Sequence, residues 1–202
     1  MNLKKILSRS LLALALGACG AALASPTYHV TIDTSTLGSG SGFLDLGFGA
    51  DSGAAPATAT LSGFKGMFGE YSELGGDSAG SVDGNVTLVN DVSYSDLYQE
   101  IVLGGLFSFD IRFDGNVDTG GNPVGTTFSA TLYNGAQVGY LGLAGPLATI
   151  ALTPGQADIV SPANAYASIG TDAVSAVPEP STLLSMATGL GLLGFGLRRR
   201  PR

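Results

Sequence analysis

Glu100-Ile101-Val102-Leu103-Gly104-Gly105-Leu106-Phe107-Ser108-Phe109-Asp110-Ile111-Arg112-Phe113 is the stretch that decides the fold class. Phe107, Phe109, Ile111 and Phe113 alternate with Ser108, Asp110 and Arg112, the period of two of a half-buried strand. Gly104-Gly105 separates this run from Glu100–Leu103. Glycine pairs of this kind take the positive φ angles that two-residue hairpins need, so the spacing predicts a hairpin here.

The same alternation recurs on both sides. Tyr28-His29-Val30-Thr31-Ile32-Asp33-Thr34 puts Tyr28, Val30 and Ile32 on one face and His29 on the other. Further strands are expected at Gly42–Phe48, Ala57–Phe64 and Val82–Val89. Thr127–Tyr133 and Gln137–Leu141 flank Asn134-Gly135, a second hairpin signal. Ala148–Leu152 and Ala157–Val160 flank Thr153-Pro154-Gly155-Gln156. One short helix is expected at Ser93–Gln99, capped by Asp91 or Ser93. Short strands with frequent turns predict an all-β fold, an antiparallel β-sandwich of jelly-roll-like kind, flanked by an N-terminal signal peptide and a C-terminal transmembrane helix. The expected division is 1–24 signal peptide, 25–160 sandwich, 161–176 a loose strand and linker, and 177–202 a sorting tail. No internal repeat marks a solenoid or propeller.

Both ends read as export signals. Lys4, Lys5 and Arg9 precede the apolar run Leu11–Leu16 and a set of small residues, the layout of a secretory signal peptide. Ala22-Leu23-Ala24 fits the cut site, so the mature chain is expected to begin at Ser25. The rival reading takes Leu16-Gly17-Ala18-Cys19 as a lipoprotein box with Cys19 lipidated. At the other end, Val177-Pro178-Glu179-Pro180 is followed by the uncharged run Ser181–Leu197 and by Arg198, Arg199, Arg200 and Arg202. At about 1.5 Å per helical residue that run reaches about 25 Å, the short end of the spanning range. The arginines would stay on the cytoplasmic side. Pro178 and Pro180 disfavour helix and leave Glu179 on an extended segment, as a protease substrate requires. The plain alternative is a C-terminal anchor that is never cut.

This tail resembles the PEP-CTERM sorting signal of Gram-negative bacteria. The resemblance implies an exosortase substrate, held transiently in the inner membrane, cut near Pro178-Glu179-Pro180 and delivered to the cell surface or extracellular matrix. The segments Tyr28–Ser35, Ser41–Phe48 and Leu106–Phe113 loosely resemble an uncharacterised group of PEP-CTERM exported proteins. That likeness carries no functional residue with it.

Charge narrows the partners. Of nine basic residues, three precede Ser25 and four follow Val177, leaving Lys65 and Arg112; of sixteen acids only Glu179 lies outside, leaving fifteen. The segment 25–177 therefore carries a formal charge of −13, against −7 for the whole chain. Such a segment does not bind nucleic acid through phosphates. It attracts divalent cations or basic partners, or simply stays soluble. Cys19, the only cysteine, is lost with the signal peptide, leaving no disulfide and no thiol chemistry.

Few residues offer catalysis. His29 is the only histidine, and no cysteine, second histidine or tight carboxylate cluster accompanies it in sequence. Asp114, Asn116 and Asp118 have the alternate spacing from which a loop gives oxygen ligands to calcium. The full calcium-loop pattern is absent, because Thr119 stands where glycine should follow and no closing glutamate is present. A polar turn at Gly115 explains the same residues. Glu70, Glu73, Asp77 and Asp83 form a second acidic stretch. Tryptophan is absent, but Tyr28, Tyr71, Tyr94, Tyr98, Tyr133, Tyr140 and Tyr166 offer rings that stack on sugar or that half-bury in strands.

These readings point to a non-enzymatic surface or matrix protein, structural in biofilm and exopolysaccharide, with no catalytic residue and no cofactor beyond calcium at the acidic loop. The alternative is a carbohydrate-binding module for the exopolysaccharide, calcium-assisted. A glycoside hydrolase using a carboxylate pair ranks last.

Overall fold

A computed structural model describes residues 25–90, 94–115 and 124–172. Twelve strands run in chain order: β1 (Thr27–Asp33), β2 (Ser41–Ala50), β3 (Ala57–Lys65), β4 (Phe68–Gly75), β5 (Asp77–Gly80), β6 (Val86–Val89), β7 (Tyr94–Val102), β8 (Leu106–Gly115), β9 (Thr126–Asn134), β10 (Ala148–Leu152), β11 (Ile159–Val160) and β12 (Ala167–Thr171). They form two six-stranded antiparallel sheets, ordered β12-β1-β8-β3-β6-β5 and β11-β10-β9-β2-β7-β4. From β1 to β4 and from β6 to β9 the chain changes sheet at every strand. The order β1-β8-β3-β6 beside β2-β7-β4 is the interleaving of a jelly roll. No helix occurs among the described residues, and the segments expected to be a signal peptide and a membrane helix lie outside them.

Alternation explains where the core sits. Tyr28, Val30 and Ile32 of β1, and Phe107, Phe109, Ile111 and Phe113 of β8, are buried from the first sheet. Leu44, Leu46 and Phe48 of β2, and Phe128, Ala130 and Leu132 of β9, are buried from the second, and all join one apolar cluster. Side chains of two sheets meeting in one cluster is how a sandwich removes both apolar faces from water, at about 25 cal/mol for each Å² of apolar surface.

Three local expectations are corrected. Gly104-Gly105 is not a hairpin: β7 belongs to the second sheet, paired with β2 and β4, while β8 belongs to the first, paired with β1 and β3. The glycines make a corner between sheets, with Gly104 at φ 99°. Buried Thr34 holds that corner, its hydroxyl accepting from Gly104 N (3.0 Å) and Gly105 N (3.2 Å) and donating to Gly105 O (2.8 Å). The helix expected at Ser93–Gln99 is instead the start of β7 over its described residues. Here polar Ser95 and Gln99 join Leu97 and Ile101 on the inward face, and the rings of Tyr94 and Tyr98 point outward with Asp96 and Glu100, so the alternation of polarity is blurred. The return arm at Gln137–Leu141 forms only an isolated bridge, Tyr133 to Tyr140. Its turn is wider than a two-residue hairpin: Gln137 N donates to Asn134 O (2.8 Å), and Gln137 takes φ 62°.

The third pairing holds as expected, with Ile150 opposite Val160 across the Thr153–Gln156 turn. The segment read as a loose strand and linker, 161–176, contains β12, which pairs with β1 from Ile32↔Ala167 to Tyr28↔Thr171. The sheet therefore continues beyond residue 160. Asp172 N donates to Thr27 O (3.1 Å), so the described chain ends beside the point where it starts.

Candidate functional site

Strand register assembles an aromatic and acidic surface on the solvent side of the second sheet. Across β2 and β7, Phe43 faces Glu100, Asp45 faces Tyr98, Gly47 faces Asp96 and Gly49 faces Tyr94. Beyond β2, Phe43 also faces Tyr133 of β9. Beyond β7, Glu73 of β4 faces Tyr98. Directly opposed residues in antiparallel strands share a face, so one surface collects all of these side chains.

Five rings form a continuous ladder over it. Centroid separations are 5.1 Å for Tyr140–Tyr133, 6.0 Å for Tyr133–Tyr98, 5.1 Å for Tyr98–Phe43 and 5.7 Å for Phe43–Tyr71. Phe43 and Tyr98 stack within 5° of parallel. Phe43 is covered by its neighbours at 6% exposure, whereas Tyr71, Tyr94 and Tyr140 are 44%, 47% and 53% exposed. Five of the seven tyrosines thus lie on one sheet face.

Glycines make room for the large groups. The Tyr94 side chain occupies the place of a Gly47 β-carbon, and the Asp96 and Glu100 carboxylates lie where β-carbons of Gly75 and Gly69 would stand. Buried Gln99 supports the irregular pairing of β4, donating through Nε2 to Gly69 O (3.0 Å) and Tyr71 O (3.1 Å).

Acids stand between the rings. Burial, and then the charge of Asp96, pushes the Asp45 carboxyl up to about 6, although the Tyr94 hydroxyl at 3.4 Å pulls the other way. Asp96 is raised by burial and then by Glu73. Burial, followed by Asp45, also raises the Tyr94 and Tyr98 hydroxyls. The Tyr71 hydroxyl donates to Glu73 Oε2 at 2.6 Å and is raised by that bond. No lysine or arginine lies on the strands of this sheet. Lys65 and Arg112, the two cations of segment 25–177, are on β3 and β8 of the first sheet.

The residues singled out from sequence fall elsewhere. His29 is on the solvent side of the first sheet, as alternation predicts, but it has carboxylate partners that sequence spacing did not reveal. Its Nδ1 lies 2.6 Å from Asp110 Oδ1 and its Nε2 lies 3.0 Å from Asp172 Oδ2. These bonds, Asp110 first, raise the imidazole above its ordinary value. The trio ties β1, β8 and the residue that follows β12 together. Asp114 stands on β8 opposite Thr58. Asn116 and Asp118 lie outside the described residues, as do Ala24, Cys19, Val177, Pro178, Glu179, Pro180 and the terminal arginines. Among the described residues, no three His, Cys, Asp or Glu side chains converge to hold a metal ion.

The sequence held one overlooked signal for the aromatic surface. Tyr94-x-Asp96-x-Tyr98-x-Glu100 alternates ring and acid at period two, and Phe43-x-Asp45 repeats the pattern. Reading Ser93–Gln99 as helix concealed it.

The fold and this surface define an all-β protein with a ringed, acidic sheet face. Its destination comes from the tail: residues 176–200 match the PEP-CTERM protein-sorting motif. The chain is therefore an exported protein, a substrate processed by exosortase, that passes through the membrane to the cell surface. No curated protein and no solved structure matches the chain.

Proposed function

We propose that the protein is a non-enzymatic component of the cell surface or extracellular matrix, structural in biofilm, whose second sheet holds the exopolysaccharide. It is a jelly-roll sandwich that passes through the inner membrane as an intermediate before release. The observation that carries this reading is the five-ring ladder from Tyr140 to Tyr71, with both end rings exposed, on the outer sheet face of a protein sorted outward. Sugar rings present C–H faces that stack on aromatic rings, and their hydroxyls bond to intervening carboxylates. Tyrosine supplies contact area with little rotamer entropy to lose.

The test uses the chain in an exporting host, with and without the exosortase. Intact mass is expected to show a form that begins at Ser25 and ends near Pro178-Glu179-Pro180 only when the exosortase is present. A Tyr98→Ala/Tyr133→Ala variant is expected to be cut and exported normally but lost from the matrix into the medium. Retention of that variant in the matrix at the wild-type level overturns the reading. Incubation of the purified protein with the polymer is expected to leave its chain length unchanged; shortening would replace the structural reading with a hydrolase.

A further inference from the structure

We propose that the ringed face recognises a polysaccharide that carries free amino groups, a hexosamine polymer with its nitrogens unacetylated and protonated. The inference rests on the exopolysaccharide reading above and adds the chemical class of the polymer.

Charge complementarity is the first argument. Asp45, Asp96, Glu73 and Glu100 share the face with the rings, and no lysine or arginine on that sheet neutralises them. An anionic polymer, whether of uronic acid or phosphate, would be repelled. A neutral polymer laid on the rings would cover Asp45 and Asp96 without supplying a counter-charge, and burial already disfavours their ionised forms. Ammonium groups would pair with the carboxylates and also sit over the electron-rich tyrosine faces.

Spacing is the second argument. Three of the acids are set beside a ring, Asp45 and Glu73 on either side of Tyr98 and Glu100 next to Phe43, while Asp96 stands between Gly47 and Gly75. No three carboxylates converge for a single cation among the described residues. Charges interleaved with rings across β9, β2, β7 and β4 match a polymer that repeats both a stacking surface and a cation. A lysine-rich peptide carries the cation without the flat C–H surface. An extended peptide would be expected to add to a free strand edge, at β4 or β11, instead of crossing strand faces.

The experiment titrates the chain recovered from its exporting host with four probes of equal length: fully de-N-acetylated glucosamine oligomers, their N-acetylated counterparts, β-linked glucose oligomers and oligolysine. The chain has no tryptophan, so tyrosine fluorescence reports the face directly. The free-amine oligomer is expected to bind roughly tenfold or more tightly than the acetylated and glucose oligomers, the gain of one good ammonium contact. That preference is expected to shrink with added salt and in Asp45→Asn and Glu73→Gln. Both substitutions are isosteric, and circular dichroism confirms the fold. Equal binding of all three saccharides would overturn the amine inference and leave the exopolysaccharide reading intact. Binding of none would overturn both. Oligolysine binding as tightly as the amino-sugar oligomer would make the face a protein-docking surface and overturn the proposal.

Discussion

Tyr94 lies across Gly47, its ring and hydroxyl filling the space of the missing β-carbon. One strand thus gives up a side chain so that its neighbour can lay an aromatic ring on the face. Gly47→Ala is expected to displace Tyr94 and to cost about 1–3 kcal/mol, as overpacking does. Tyr94→Ala removes the obstructing ring, so in the double variant the Gly47→Ala penalty largely disappears. Additive losses in chemical denaturation would show that the contact does not matter.

Asp45 makes the stability of the second sheet pH-dependent. Its folded pKa, about 6, lies above the ordinary value of 3.8. The fold binds more protons than the unfolded chain between those values, so this group's contribution falls as pH rises through about 6. Asp45→Asn is expected to raise the melting temperature at pH 8 and to leave it unchanged near pH 3. A gain at the acidic end alone would contradict the burial argument.

His29 has the corresponding effect on the first sheet. Its pKa is raised above 6.5 by Asp110 and Asp172, so the stabilisation is fully present below 6.5 and is lost as pH rises through the folded value. Asp172 follows directly on β12, so deprotonation of His29 loosens that strand first. Hydrogen exchange at Ser168, Gly170 and Asp172, whose amides face β1, is expected to quicken as pH rises through the His29 titration, beyond the intrinsic rate increase. In Asp172→Asn the His29 ring resonances would titrate at lower pH. An unchanged titration would remove Asp172 from the account.

Thr34 at the corner between sheets serves two glycine N–H groups through one buried hydroxyl. Thr34→Val keeps the shape and strands both donors, at a cost of about 1–3 kcal/mol. Thr34→Ser retains the hydroxyl and is expected to keep most of the stability. Equal losses in the two variants by thermal unfolding would assign the effect to packing.

The sequence alone determined the class and the destination. Period-two alternation in Tyr28–Thr34 and Leu106–Phe113 is a local property, because side chains in any strand alternate, and it located strands and core residues correctly. Val177-Pro178-Glu179-Pro180 with its apolar run and arginines is a linear signal read by a protease, so no fold was needed to recognise it. Tertiary structure decided the rest. Whether Gly104-Gly105 closes a hairpin or turns between sheets depends on which strands lie alongside β7 and β8, and these come from residues far away in the chain. The first part of β7 was illegible because its rings point outward and Ser95 and Gln99 point inward, supported by partners on β4, β5 and β6. The ladder itself gathers rings from residues 43, 71, 98, 133 and 140. No spacing in the chain brings those positions together; hydrogen-bond register between strands does.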